Sequence, residues 1–223
     1  MEGIIMKNTI SKSIRDIFSA TVLSFVAKAT MISLAVTVIL VWLLSSTLTN
    51  FITGYLSWIP WEWLQTTGAS IATIAIAYML FILVLSVITS LMVEPLLKKL
   101  AKKHYPDIPV IGTANISTSI LLSLKSGLMF LLLFLLTFPV MFIPLIGAVW
   151  MLWLWSILLK APTIYDVSSL FLSDKKEIKQ RTKKSTFTAM IAAGFNYIPV
   201  LNIFAPVFAQ ILFLHQILGK EEL

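Results

Sequence analysis

The stretch FIPLIG at 142–147 returns as YIPVLN at 197–202, and each lies in the middle of a long apolar run without charged residues. A proline inside a helix costs about 3 kcal/mol, because it lacks an N–H donor and its ring clashes with the preceding turn. The same interruption at the centre of two apolar runs therefore predicts a structural break in each of them.

The composition indicates an integral membrane protein. Of the 223 residues, 58% are hydrophobic and 12% are charged, whereas soluble domains carry about 25% charged residues. We expect a single membrane domain over residues 1–223 and, because the first residues contain no apolar h-region, no signal peptide. The chain has no cysteine, which excludes disulfides and thiolate ligands, and its net charge of +7 fits either basic cytoplasmic loops or an anionic ligand.

Two full transmembrane helices are predicted at 29–48 and 71–93, each long enough for a hydrocarbon core of about 30 Å. Before them, residues 3–27 show the spacing of an amphipathic helix, and we expect segment 1–28 to lie along the inner headgroup layer. The aromatic stretch 49–65 has no Lys or Arg, which places it outside. The apolar face predicted for the N-terminal helix comprises Ile10, Ile14, Ile17, Phe18 and Phe25.

The apolar runs 126–159 and 185–219 have a different pattern. The first would measure about 51 Å as one straight helix, and its central prolines split it into halves of about 18–20 Å, too short to cross alone. Basic residues flank both runs, and the positive-inside rule is met only if each run enters and leaves on the cytoplasmic side.

The predicted fold is therefore an all-α integral membrane protein with an amphipathic N-terminal helix, two full transmembrane helices and two re-entrant pairs of half-membrane helices. Each hairpin tip contains backbone groups that hydrocarbon does not satisfy, so the tips must face protein or a water-filled cavity.

The tips supply the candidate pathway residues. The second half-helix of each hairpin begins near mid-membrane with unpaired N–H groups and a partial positive charge, an arrangement that suits an anion. Pro144, Gly147 and Pro199 lie in the tips, and Asn196 either lines the second tip or pairs with loop backbone. For Asn202 two interpretations are open: its amide donates to a permeating anion, or it caps the half-helix that begins near Ile203.

Signals for catalysis are missing. His104 and His215 are far apart in the sequence and do not form an H-E-x-x-H pair, and no P-loop or dinucleotide fingerprint occurs. We expect no enzyme activity, no cofactor and no metal site. The basic loops favour solvated surface over nucleic-acid binding, and His215 is expected at the headgroup level or as a titratable pathway residue.

The order of these motifs resembles the CysZ sulfate-permease family, which shares its domain with etoposide-induced membrane proteins. The resemblance rests on YLSWIPWEWL, the E-P-L-L stretch after the second span, F-I-P-L-I-G before a Trp-rich helix, and I-P-V-L-N-I-F-A-P. It implies a bacterial inner-membrane permease that takes up sulfate for sulfur assimilation and acts as a homo-oligomer.

The stretch 22–31 corresponds to a G-x-R-R motif that the family uses for sulfate binding. Here it reads VLSFVAKATM, with Lys28 as its only cation. Lys28 is therefore either an entrance residue that replaces the arginines or a lysine that snorkels to the headgroups. The alternatives to sulfate uptake are a channel for another anion and a non-conducting structural membrane protein of the same fold.

Overall fold

The computed structural model consists of helices and the segments that connect them in the part of the chain that it describes, and no strand occurs there. Five of the described helices are long and apolar enough to cross a membrane. The prediction of an all-α, multi-pass membrane protein is therefore confirmed. The described residues are 2–57, 60–137, 139–140, 143–172, 185–198 and 201–219.

The helices are, in chain order, α1 (Glu2–Ile17), α2 (Ala20–Leu56), α3 (Glu62–Met92), α4 (Glu94–His104), α5 (Ile116–Thr137), α6 (Ile146–Phe171), α7 (Thr186–Ala193) and α8 (Ala205–Leu218). Two 3₁₀ turns, Gly194–Tyr197 and Leu201–Phe204, lie between α7 and α8. The chain forms two compact units, one of Met1–Ala27 with Thr89–Leu223 and the other of Lys28–Ile88.

The unit Lys28–Ile88 consists of most of α2 and α3. Large apolar side chains lie on its surface, with Trp42 73% and Ile74 71% exposed, which is the surface of helices that contact lipid. The Ser33 hydroxyl donates to the Ala29 carbonyl and that of Thr37 to the Ser33 carbonyl, both at 2.7 Å. These polar groups are therefore paired within their own helix, as a hydrocarbon environment requires.

In the larger unit, α8 forms the centre of the core. Every residue of α8 except Gln216 is buried, and α1, α4, α6 and α7 pack against it. A helix that is apolar on all sides must be surrounded by protein or lipid, and here protein surrounds it.

The predicted helix over 3–27 is not continuous. It breaks after Ile17, where the Ser19 N–H bonds the Asp16 carbonyl at 2.9 Å, and α2 begins at Ala20. The predicted apolar face is also divided, since Ile17 is buried whereas Phe18 is 64% exposed.

The predicted length of the first hairpin's helices is wrong. In place of halves of about 12–13 residues, α5 has 22 residues and α6 has 26. The prediction ended each helix at the flanking lysine, but Lys125 and Lys160 lie inside α5 and α6, because a lysine can extend its stem along a helix without ending it. The second hairpin has shorter helices, of 8 residues in α7 and 14 in α8.

The chain between α4 and α5 lies close against the end of α6. The N–H groups of Ile111 and Gly112 both donate to the Leu170 carbonyl, at 2.9 and 3.3 Å. A Cβ atom on Gly112 would lie 2.3 Å from the Ser169 carbonyl oxygen, whereas one on Gly194 would meet nothing within 4 Å. Gly112 is thus needed for a close backbone approach.

Replacement of Gly112 by alanine is expected to destabilise the fold. The added methyl group must push the 111–115 segment off α6, at a cost of about 1–3 kcal/mol. Thermal unfolding of Gly112→Ala in detergent should therefore have a lower midpoint than wild type, whereas the control Gly194→Ala should not. Equal midpoints for the two variants would contradict the close approach.

Candidate functional site

The tip of the first hairpin is a tight turn that uses its own N–H groups. Leu145 has φ 65° and ψ −51°, and the Ile146 N–H bonds the Pro144 carbonyl across it at 2.7 Å, which makes a γ-turn. The Gly147 N–H bonds the Ile143 carbonyl at 2.7 Å, and Gly147 is buried. The first N–H groups of α6 that were expected to face an anion are therefore partly engaged within the tip.

The tip of the second hairpin contains both candidate asparagines. Asn202 is buried in the 3₁₀ turn Leu201–Phe204, and its N–H donates to the Ile198 carbonyl at 3.1 Å. The N-cap position of α8 is Phe204, and no side chain bonds there. Asn196 is half-buried, and Pro199 lies outside the described residues.

The two tips contact each other through Tyr197. Its hydroxyl donates to the Ala148 carbonyl in the first turn of α6, and its ring stacks on Trp155 with centroids 6.3 Å apart and planes at 5°. Within the first hairpin, Trp150 Nε1 donates to Thr137 Oγ1 at 2.8 Å. Tyr197 thus joins the described parts of the two tips, while Lys28 lies exposed on α2 in the unit Lys28–Ile88.

A buried carboxyl group, not predicted from the sequence, joins four helices of the larger unit. Asp166 is 2% exposed. Its Oδ2 accepts from Ser90 Oγ at 2.5 Å and from Gln210 Nε2 at 3.0 Å, and its Oδ1 accepts from Ser119 Oγ at 2.7 Å. The donors come from α3, α8 and α5, so the carboxyl of α6 links the first hairpin to α3 and to α8.

A second buried carboxyl group ties α1 to α4 and α8. Asp16 is 1% exposed, and Nε2 of His104 and Nε2 of His215 lie 2.8 and 2.9 Å from its Oδ2. Lys103 Nζ lies 3.1 Å from Oδ1. Burial acts to raise the pKa of Asp16, but the hydrogen bonds from His215, His104 and Lys103 outweigh it and hold that pKa well below the ordinary range of an aspartate.

The structure brings the two histidines together, which the sequence did not predict. His215 is 1% exposed in the core, and its ring centroid lies 5.0 Å from that of His104. His215 Nδ1 also pairs with the Tyr105 hydroxyl at 2.9 Å. The usable sequence signal was that Asp16 follows Thr9 and Ser13 on the same face of α1, and all three are buried.

The Asp166 cluster predicts a measurable loss of stability in a single variant. Ser119→Ala removes a hydrogen bond to a carboxyl group that no water replaces, so the free energy of unfolding should fall by about 1.5–3 kcal/mol. Ser117→Ala on the same helix is the matched control, since Ser117 is exposed and surface substitutions stay within about 0.5 kcal/mol. Denaturation in detergent measures both, and equal stabilities would remove the assigned role of Ser119.

One comparison with known proteins gave a match. Residues 9–206 match the family described as sulfate transporter CysZ/etoposide-induced protein 2.4. No curated protein and no solved structure matched the chain. The matched range extends from the middle of α1 through α7 and both hairpin tips to the start of α8. The chain therefore belongs to the sulfate transporter CysZ/etoposide-induced protein 2.4 family.

Proposed function

We propose that the chain is an anion permease of the bacterial inner membrane, with sulfate as its substrate and sulfur assimilation as its purpose. The observation that carries the proposal is the contact of two uncharged hairpin tips, in a chain whose family includes sulfate transporters. Neither 126–159 nor 185–219 contains an Asp, Glu, Lys or Arg. An anion passing there would meet amides and backbone dipoles but no fixed charge.

The positions of two lysines support hairpins that reach only half depth. Lys125 lies twelve residues before the end of α5 and Lys160 fourteen residues after the start of α6, which is about 18 and 21 Å from the tip. If the tip reached the outer surface of a core of about 30 Å, both ammonium groups would lie in hydrocarbon. A tip near mid-membrane places them at the inner headgroups instead.

The second hairpin begins at a membrane depth similar to that of Lys160 in the first hairpin. Lys160 Nζ donates to Thr186 Oγ1 at the start of α7, at 2.8 Å, so the bases of the two hairpins lie at similar depth. Since their tips also touch, the two hairpins run side by side. This favours a common polar centre over two independent membrane insertions.

Asn202 is the residue to which we assign anion contact. The N–H groups of Ile146 and Gly147 bond tip carbonyls, and Asn202 is buried at the second tip, in the 3₁₀ turn that leads into α8. A side-chain amide offers two donors, and the N-terminal end of α8 adds a partial positive charge. Pro144 and Gly147 then shape the first tip, and Asn196 lies in the 3₁₀ turn Gly194–Tyr197 at the second.

We further propose that the protein acts as a homo-oligomer. Tips at half depth contain polar backbone that one chain of 223 residues shields poorly, and neighbouring copies would complete the shield. A channel for another anion is the second candidate, favoured by the absence of an Arg pair in 22–31.

Cysteine labelling tests the hairpins directly, because the native chain has no cysteine. With a membrane-impermeant maleimide, Lys99→Cys and Lys179→Cys should react only from the cytoplasmic side, and the control Trp61→Cys only from outside. Leu145→Cys, at the first tip, should react from outside at least about tenfold more slowly than Trp61→Cys, because half-depth burial removes it from water.

Two outcomes would contradict the topology. Reaction of Lys99→Cys and Lys179→Cys from opposite sides would require an odd number of crossings between them. External reaction of Leu145→Cys as fast as that of Trp61→Cys would place the first tip at the outer surface.

Flux into liposomes tests the function. Purified protein should take up radiolabelled sulfate above empty vesicles, and Asn202→Ala should lower this uptake by about tenfold, the loss of one hydrogen bond to a charged group. Asn50→Ala, exposed on α2, is the control and should leave uptake unchanged. Gel filtration must show that both variants keep the wild-type assembly.

The alternatives have their own signatures. Sulfate uptake that chloride, thiosulfate or phosphate abolishes at equal concentration would assign the pathway to another anion. Efficient incorporation with no anion flux at all would overturn the permease and leave a structural membrane protein of the same fold.

A further inference from the structure

The cluster around Asp16 has the donor set of a metal centre. One oxygen of Asp16, Nε2 of His104 and Nε2 of His215 all lie within 4.8 Å of one another. The three residues come from α1, α4 and α8 and are separated by 88 and 111 positions in the chain. We propose that they bind a divalent transition-metal ion, which fastens the N-terminal helix to the core.

The geometry of the ligands supports an ion rather than a simple ion pair. Both histidines direct Nε2, not Nδ1, at the same carboxylate oxygen, at 2.8 and 2.9 Å. Ligand atoms around a tetrahedral zinc ion, with bonds of about 2.0–2.1 Å, lie about 3.3 Å apart. Each nitrogen would move about 0.5 Å away from the carboxylate oxygen, and the two nitrogens, which lie within 4.8 Å of each other, would close to the same spacing.

The surroundings of the cluster also fit. The Tyr105 hydroxyl lies 2.9 Å from Nδ1 of His215, and such a partner on the second ring nitrogen orients a metal-bound histidine. His215 has no exposed side-chain surface, whereas that of His104 is 20% exposed. The His104 side gives an entry path and room for water in the fourth position.

A ligand set of two histidines and one carboxylate favours some metal ions over others. Neutral imidazole and carboxylate suit zinc, cobalt and nickel, whereas magnesium and calcium prefer oxygen ligands alone. Because the chain has no cysteine and only two histidines, any ion held by imidazole nitrogen must bind at this cluster.

Lys103 distinguishes the metal centre from the alternative, a hydrogen-bond network without a metal ion. In that network both histidines and Lys103 donate to Asp16. An ion would take the place of the ammonium group, whose side chain is 57% exposed and can turn to solvent. Lys12, the other cation near the cluster, lies 5.4 Å from the Tyr105 ring centroid and is exposed to solvent, where its charge is screened.

Metal titration of the full-length protein, purified without a histidine tag and treated with chelator, tests the proposal. Cobalt should produce visible d–d absorption bands, and zinc should raise the thermal midpoint. Both effects should be lost in His104→Ala and in His215→Gln, while Tyr105→Phe should weaken zinc binding by about 10–100-fold. Lys103→Ala should bind zinc more tightly than wild type, because the competing cation is gone.

The proposal fails if wild type shows neither the cobalt bands nor the zinc shift. It also fails if His104→Ala keeps both effects, or if zinc binds Lys103→Ala more weakly than wild type. Should His215→Gln not fold, His104→Ala and Lys103→Ala decide alone, since both change partly or mostly exposed side chains. The outcome is independent of anion transport, which none of these readouts measures.

Discussion

A peptide group in hydrocarbon has no water to bind, so a chain that turns inside a membrane must pair its own N–H and C=O groups at the turn. The first hairpin tip meets this demand with a left-handed residue, Leu145 at φ 65°, and with the bond between the Ile146 N–H and the Pro144 carbonyl. The γ-turn is strained for leucine. At the half depth proposed above, an unpaired N–H group would cost more than this strain.

The need to pair buried polar groups also applies to the two aspartates in the core. A buried carboxylate is stable only when donors replace its water, and both buried aspartates obtain these donors from other helices. Two polar side chains of α8 provide the link, since Gln210 bonds Asp166 and His215 bonds Asp16. These hydrogen bonds fix the rotation of α8 about its axis and its position along that axis. Apolar packing alone fixes them poorly, because the hydrophobic effect is not directional.

Features with a local signal were predictable from the sequence. Contact with lipid demands apolar residues along a whole helix, so α2 and α3 followed from their uncharged runs, and the prolines of FIPLIG and YIPVLN marked the reversals. Helix ends were misplaced at Lys125 and Lys160 because a charge marks the edge of hydrocarbon, not the end of hydrogen bonding. The two aspartate clusters were missed because they join positions 44 to 199 residues apart, and no spacing rule reaches across such distances.

If the tips form the proposed anion pathway, their chemistry bears on the kind of transport. A site built from amides and partial helix charges gives an anion little more than it loses in leaving water, because part of the donor set at α6 already serves the turn. Conduction requires binding that is strong enough for entry and weak enough for exit. An arginine pair would shift that balance toward tight binding, and the stretch 22–31 has only Lys28. For the anion permease proposed above, these tips therefore favour weak, fast passage down a gradient over concentrative uptake.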